Sequence, residues 1–312
     1  MNLFIQKIYR SLHERVFYKI NETQDKLLMI NGIQCSLISK NIANQKSISD
    51  YEFSVFSQWG EDGIISFLLE KIPLKNKVFI EFGVENYTES NTRFLLKKNN
   101  WKGLIIDGSK ENIDYIHKDK IMWMHDLSAI CKFINIENIN TIISSFTDEE
   151  DIGLMSIDID GNDYWVWDAI KVVKPRIVIC EYNNLFGSDN ELTIPYDPLF
   201  VRSEAHYSNL YYGASISALI SLSKKKGYTY IGSNSAGNNA FFIRNDVIKN
   251  VDFNYNINFV KSKFRESRDI DGKLSFLNRK QQLDLIKHMH LVDLKKNKKL
   301  TIDKIVDDKD CI

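Results

Sequence analysis

At 312 residues the chain exceeds one minimal domain and suits one large domain with appendages, or two small ones. Its hydrophobic (44%) and aromatic (12%) content can bury a sizeable core, which argues against a disordered chain. Lys plus Arg and Asp plus Glu balance at 41 each, against the basic excess that a nucleic-acid backbone demands of its binding proteins.

Residues 1–50 read as an N-terminal helical extension, for oligomerisation or docking. Ile5, Ile8, Leu12, Val16 and Ile20 recur at helical spacing, and Leu27, Ile30, Ile33 and Leu37 continue the stripe. The pattern predicts a helical hairpin packed on the main domain or on a second subunit, which makes a homo-oligomer the expectation. A second reading takes Lys7, Arg10, Arg15 and Lys19 as the polar face of a helix lying on an anionic membrane, a peripheral contact through residues 1–20. No run of eighteen apolar residues exists, so no transmembrane segment is expected. The N-terminus lacks the apolar stretch and cleavage site of a signal peptide. Cys35, Cys131, Cys180 and Cys311 are scattered without a C-x-x-C pair, which fits a reducing, cytoplasmic setting.

The polar stretch 40–51 reads as a linker into a domain spanning 51–250. A helix is predicted over 61–71, and from there strands and helices alternate, the signature of βαβ units and a parallel sheet. Strands are expected at 78–82, 103–107, 121–125, 153–159 and 176–182, with helices at 91–98, 109–117, 136–145 and 163–172 between them. A longer helix, 215–226, precedes two strands at 228–232 and 239–244, joined by the turn-rich SNSAGN. Residues 251–312 read as a polar C-terminal helical segment with its helix near 280–294.

Ligands of open parallel sheets bind beyond the carboxyl ends of the strands, so the residues after each strand carry the chemistry. Glu81 closes the first strand and Gly83 follows two positions later, with Glu85 beyond. The second and third glycines of a dinucleotide fingerprint are missing, and two carboxylates would repel a pyrophosphate. A cationic sulfonium and an amino group suit this turn, which favours S-adenosylmethionine over NAD. Asp107 ends the second strand, where a carboxylate receives ribose hydroxyls; Ser109 beside it serves as a cofactor contact or a helix cap. Asp126 follows the expected third strand and is assigned to an adenine amino group. The fourth strand ends in Asp158, Asp160 and Asp163, and the fifth in Glu181, Tyr182 and Asn183. Such carboxylates are costly to hold together without a cation, a hydrogen-bond network or a shared proton. Asp158, Glu181 and Asn183 form a candidate site for Mg²⁺ or Mn²⁺, with Asp158 and Asp160 as catalytic candidates. The alternative has Asp160 and Asp163 capping the next helix while Asp158 alone acts as base. His206 is the one histidine near this rim and a second candidate base. Tyr207, Tyr211, Tyr212, Phe186 and Tyr196 suit the wall of a sugar site, or a core.

Six segments in order resemble the FkbM-like group of S-adenosylmethionine-dependent methyltransferases: Ser57-Gln58-Trp-Gly60-Glu61-Asp62, Ile80-Glu81-Phe-Gly83, Trp101 through Ser109, Ser156 through Tyr164, Tyr212-Gly-Ala-Ser215 and Gly237 through Phe242. The resemblance covers roughly 56–244. It implies a seven-stranded class I (Rossmann-like) α/β sheet with helices on both faces, its last strand inserted antiparallel beside the fifth. It implies that Gln58, Glu81, Gly83, Asp107 and Asp126 line a cofactor pocket, and that a small-molecule or saccharide hydroxyl is the methyl acceptor. The positions of Asp158 and Glu181 also resemble the ligand positions of magnesium-dependent sugar O-methyltransferases, although Tyr182 departs from their pattern. The competing expectation is a non-catalytic scaffold of the same fold in a glycan assembly complex.

Overall fold

The computed structural model describes residues 3–39, 47–248, 259–263 and 267–304. The helices are α1 (Leu3–Ser39), α2 (Glu61–Lys71), α3 (Arg93–Asn99), α4 (Lys110–Lys118), α5 (Ile121–Met124), α6 (Ile139–Phe146), α7 (Asp163–Ala169), α8 (Arg202–Ala205), α9 (Ile216–Lys225), α10 (Asn245–Ile248) and α11 (Arg279–Ile286). The strands are β1 (Val78–Phe82), β2 (Lys102–Asp107), β3 (Leu127–Cys131), β4 (Leu154–Ile157), β5 (Ile177–Glu181), β6 (Leu192–Thr193), β7 (Tyr228–Ser233), β8 (Asn239–Arg244), β9 (His290–Asp293) and β10 (Lys298–Thr301).

Seven strands form one sheet in the order β3-β2-β1-β4-β5-β8-β7. The first five are mutually parallel; β8 runs antiparallel to both β5 and β7. This strand order with one reversed strand is the class I methyltransferase sheet, as the sequence pattern and the resemblance together lead one to expect. Both faces are covered because successive strand residues alternate sides and nearly all are apolar. One face packs Ile80, Phe82, Leu104, Ile106 and Met155 against α6, α7 and α9. The other packs Phe79, Ile105, Leu154, Ile179 and Phe241 against α2, α3 and α4. The strand order reverses between β1 and β4, and the carboxyl ends of both open onto one rim.

Three expectations change. The run at 121–125 is the short helix α5, started by the Asp119 carboxylate accepting from the Ile121 N–H at 3.0 Å, and the third strand is 127–131. A four-residue apolar run carries no period that separates helix from strand. The N-terminal segment is one 37-residue helix rather than a hairpin. Residues 40–46, most of the expected linker, lie outside the described residues. The C-terminal segment is only partly helical: α11 ends at Ile286, and β9 and β10 pair with each other and with β6. That small sheet closes a third core of Leu185, Phe186, Leu192, Ile194, Leu210 and Tyr211 with Leu283, Ile286 and Leu291. Among the described residues no helix is long and apolar enough to cross a membrane.

At the opposite, amino-terminal edge of the sheet, Asp151 is held by Arg176 at 2.6 Å and Arg244 at 2.8 Å. The Arg176 guanidinium, joined by Arg244, pulls the Asp151 carboxyl down to about 2. Its contribution to stability is therefore present above the unfolded carboxylate value and fades as pH falls towards 2. Asp151→Asn should lower stability at pH 7 by about 1 kcal/mol, solvent screening keeping it this small, or ~2–4 °C in Tm. In thermal melts the gap to the parent should close as pH approaches 2.

Candidate active site

The rim is built by a close backbone approach. Gly83 lies at φ +68, and a Cβ there would stand 1.7 Å from the carbonyl oxygen of Asp158. Its glycine is thus required by the turn after β4, and not only by a ligand. The Gly83 N–H also donates to the Ile106 carbonyl at 2.9 Å, which ties the β1 turn to the end of β2.

Glu81 is buried, and its carboxylate accepts from the backbone N–H groups of Asn91 (2.8 Å) and Thr92 (3.1 Å) and from the Thr92 hydroxyl. Burial raises its pKa to about 7 in spite of those donors. Its visible work is to fix the chain entering α3. Asp107 is also buried. It accepts from the Glu85 N–H at 2.8 Å, the Ser109 N–H at 2.7 Å and the Asn112 amide at 3.1 Å. It therefore clamps the β1 turn to the start of α4, and one lone pair of Oδ2 stays available at the rim. Ser109 is the exposed N-cap of α4, accepting from the Asn112 N–H.

Gln58 is exposed in the loop before α2. That loop is wrapped around Asp62, which sequence reasoning did not single out. One Asp62 oxygen accepts from the N–H groups of Val55, Phe56 and Ser57 at 2.7, 2.7 and 2.9 Å. Asp126 is a correction. It precedes β3, its carbonyl accepts from the Gly103 N–H at the start of β2, and it lies at the opposite edge of the sheet from the rim. The residues that do follow β3 at the rim are Lys132 and Phe133. Phe133 is 45% exposed and borders Gly108 directly after Asp107.

The fourth and fifth strand ends converge. One carboxylate oxygen from each of Asp158, Asp160 and Glu181 lies within 4.8 Å of the others, a group that could hold a metal ion. Burial first, and then the charge of neighbouring carboxylates, raises both the Asp158 and the Glu181 pKa well above the usual carboxylate range. Glu181 is 5% exposed, and its Oε2 has no hydrogen-bond partner. An orphaned buried carboxylate oxygen is costly, and three converging oxygens match a hard divalent cation.

Asp163 plays a different part. Its oxygens accept from the Ile159 and Gly161 N–H groups at 2.8 and 2.9 Å, so it folds the turn that presents Asp158 and Asp160. Asp160, at φ +55, is exposed and pairs with Arg202, so it does not cap α7; Asn162 holds that position. Asn183, expected beside Asp158 and Glu181, is buried and bonded to the chain. Its amide donates to the Leu210 and Tyr212 carbonyls, both at 3.0 Å, and accepts from the Leu185 N–H. It braces the loop behind the acids, and Asp160 is the third carboxylate that converges with Asp158 and Glu181.

His206 is half-buried, bonds the Ser208 hydroxyl through Nδ1 at 2.7 Å and stacks on Tyr207. Burial lowers its pKa, which favours the neutral ring. Tyr211, Tyr212 and Phe186 are core residues; Tyr207 is exposed. Two further features escaped the sequence. Arg202 lies 3.7 Å over the Tyr212 ring while pairing with Asp160. The turn read as a plain hairpin is an asparagine network: Asn234 and Asn239 both donate to the buried Glu61, at 2.7 and 2.9 Å. Only the density of Asn in SNSAGNN hinted at it.

No family model and no curated protein matches the chain. Solved structures with a similar fold include an S-adenosylmethionine-dependent methyltransferase from Clostridium acetobutylicum ATCC 824, 11% identical over 59% of this chain and 90% of that one, with a TM-score of 0.36. The N-terminal domain of EvdMO1 with SAH bound is 9% identical over 57% and 77%, at 0.37. Precorrin-6y C5,15-methyltransferase from Geobacter metallireducens GS-15 is 10% identical over 54% and 71%, at 0.32. The fold assignment rests on the strand order and the reversed β8.

Two outcomes test this geometry. Gly83→Ala should cost at least about 2 kcal/mol in a denaturant melt, because left-handed backbone and the Asp158 carbonyl both reject a Cβ. The raised Asp158 pKa makes its ionisation unfavourable to folding, so stability should fall as pH rises through it. Asp158→Asn should therefore raise Tm by ~2–4 °C at pH 8 in EDTA, with the gain shrinking towards pH 4.

Proposed function

We propose that this chain is an S-adenosylmethionine-dependent O-methyltransferase acting on a hydroxyl of a sugar, nucleotide sugar or surface-glycan precursor, with a divalent cation bound at the acid trio. The observation that carries the reading is the unpartnered, buried Glu181 oxygen facing Asp158 and Asp160 on the rim that also bears Asp107 and the Gly83 turn.

Asp107 would bind a ribose hydroxyl through its remaining lone pair, and Phe133 offers an aromatic face for adenine beside it. Glu85 and the Gly83 turn leave the neighbouring space negative, which suits a sulfonium and an ammonium. Asp158, Asp160 and Glu181 would hold Mg²⁺ or Mn²⁺. Such an ion lowers the pKa of a bound hydroxyl. His206, whose neutral ring burial favours, or Asp158 in its ionised form would take the proton of the acceptor hydroxyl. The exposed Tyr207, stacked on His206 in the segment that carries Arg202, supports a saccharide as the acceptor, because exposed aromatic rings suit sugar contacts. The enzyme's own share of the catalysis would be alignment of the hydroxyl with the sulfonium methyl.

A non-catalytic scaffold gains some support from Glu81 and Asp107, whose carboxylates serve the chain itself. It offers no role for the convergence of Asp158, Asp160 and Glu181, where the buried Glu181 Oε2 lacks a partner.

Isothermal titration with S-adenosylhomocysteine should show binding, and Asp107→Ala should weaken it roughly tenfold, the loss of about one hydrogen bond to a charged group. Absence of binding by the parent protein would favour the scaffold. Methyl transfer to nucleotide sugars should vanish after EDTA treatment and return with Mg²⁺ or Mn²⁺; transfer that persists would reject the cation.

A further inference from the structure

The start of β8 carries a second orphaned oxygen beside the acid trio. Glu181 and Asn239 stand opposite each other in the antiparallel pairing of β5 with β8. The Tyr182 N–H donates to the Asn238 carbonyl at 2.8 Å, which makes Glu181 and Asn239 a non-hydrogen-bonded pair. That is the closer of the two kinds of antiparallel pair, with Cα atoms about 4.5 Å apart. Opposite residues also share a face of the sheet. Ile179 and Phe241, each two positions away along its strand, lie in the core under α2, so Glu181 and Asn239 project to the α2 side as well.

Asn239 is 4% exposed. Its Nδ2 donates to Glu61 Oε1 at 2.9 Å, while its Oδ1 has no hydrogen-bond partner. Glu61 sets the orientation of this carboxamide, because the reverse would place Oδ1 against a carboxylate oxygen. Glu61 is fixed in turn: Asn234 donates to the same Oε1 at 2.7 Å, and the Trp59 N–H donates to Oε2 at 3.0 Å. Two buried oxygens without donors, Glu181 Oε2 and Asn239 Oδ1, therefore belong to directly paired residues. Both are acceptors, so neither can satisfy the other, and each is costly if left alone.

We propose that Asn239 Oδ1 is a further ligand of the divalent cation held by Asp158, Asp160 and Glu181. The proposal rests on the cation reading above and adds a ligand from β8, the reversed strand. The donor chemistry supports it. Arg202 pairs with Asp160, and its charge also reaches Asp158 and Glu181. One guanidinium and one divalent cation together balance three carboxylates. Mg²⁺ is octahedral, so three carboxylate oxygens leave positions open, and a carboxamide oxygen fills one without adding charge. The competing occupant is a water or a proton shared between the two orphaned oxygens.

Isothermal titration of the full chain with Mn²⁺, in the absence of cofactor and acceptor, should show one tight site. Asn239→Ala should weaken it roughly tenfold or more, since even groups that only orient ligands contribute that much. Asn239→Asp, which keeps the oxygen and adds a charge, should tighten it roughly tenfold. An Asn239→Ala affinity equal to the parent's overturns the proposal and leaves the water or the shared proton. A parent that binds no Mn²⁺ rejects the cation itself, and this ligand with it. Thermal melts in EDTA report whether each variant folds. If Asn239→Ala does not, Asn239→Asp decides, and an affinity no tighter than the parent's rejects the assignment.

Discussion

The site depends on one backbone approach, the turn after β1 lying against the turn after β4. The Asp158 carbonyl occupies the space into which any side chain on residue 83 would project. β1 and β4 are adjacent where the strand order reverses, so their carboxyl ends splay apart into a crevice elsewhere in the rim. Because Gly83 carries no side chain, the β1 turn that Asp107 clamps lies directly against the turn that presents the β4 acids.

Around this contact much polar chemistry is spent on shape. Asp62, Asp163 and Asn183 bind backbone groups of the loops before α2, after β4 and after β5. Each satisfies N–H or C=O groups that a loop cannot pair with itself, and so holds an irregular segment in one conformation. Glu61 does the same for the turn between β7 and β8 through Asn234 and Asn239. The rigidity matters because the trio is destabilising by itself. Neighbouring carboxylates raise one another's pKa, and Glu181 carries an oxygen without a partner. Only a frame fixed by other bonds keeps such groups converged.

The alternation of apolar strands with amphipathic helices was enough to read the sheet, because period and length distinguish the two over most of the domain. It failed at 121–125, where four apolar residues fit either state and the Asp119 carboxylate accepts from the first N–H of a helix. That shift carried Asp126 from the rim to the far edge, since one misplaced strand moves its flanking residues by the strand's full length. Asp158 and Glu181 were legible as strand-end acids. Arg202 was not, because it reaches Asp160 from across 42 residues of chain. The contacts of Asn183 and Asp160 were not legible for a similar reason: the direction of each side chain follows from loop dihedrals, including the positive φ of Asp160, that no spacing encodes.

The sequence by itself determined six of the seven strands of the large sheet, the two-faced core, and the positions where carboxylates close the first, second, fourth and fifth strands. These follow from local periodicity and from the alternation of side chains across a strand. Tertiary structure alone decided which of those carboxylates bond the chain and which face one another. It also showed that α1 turns its apolar stripe outward and its Gly and Ser side inward. Both are decided by groups far apart in the chain competing for the same space and the same hydrogen bonds, and no local pattern records that competition.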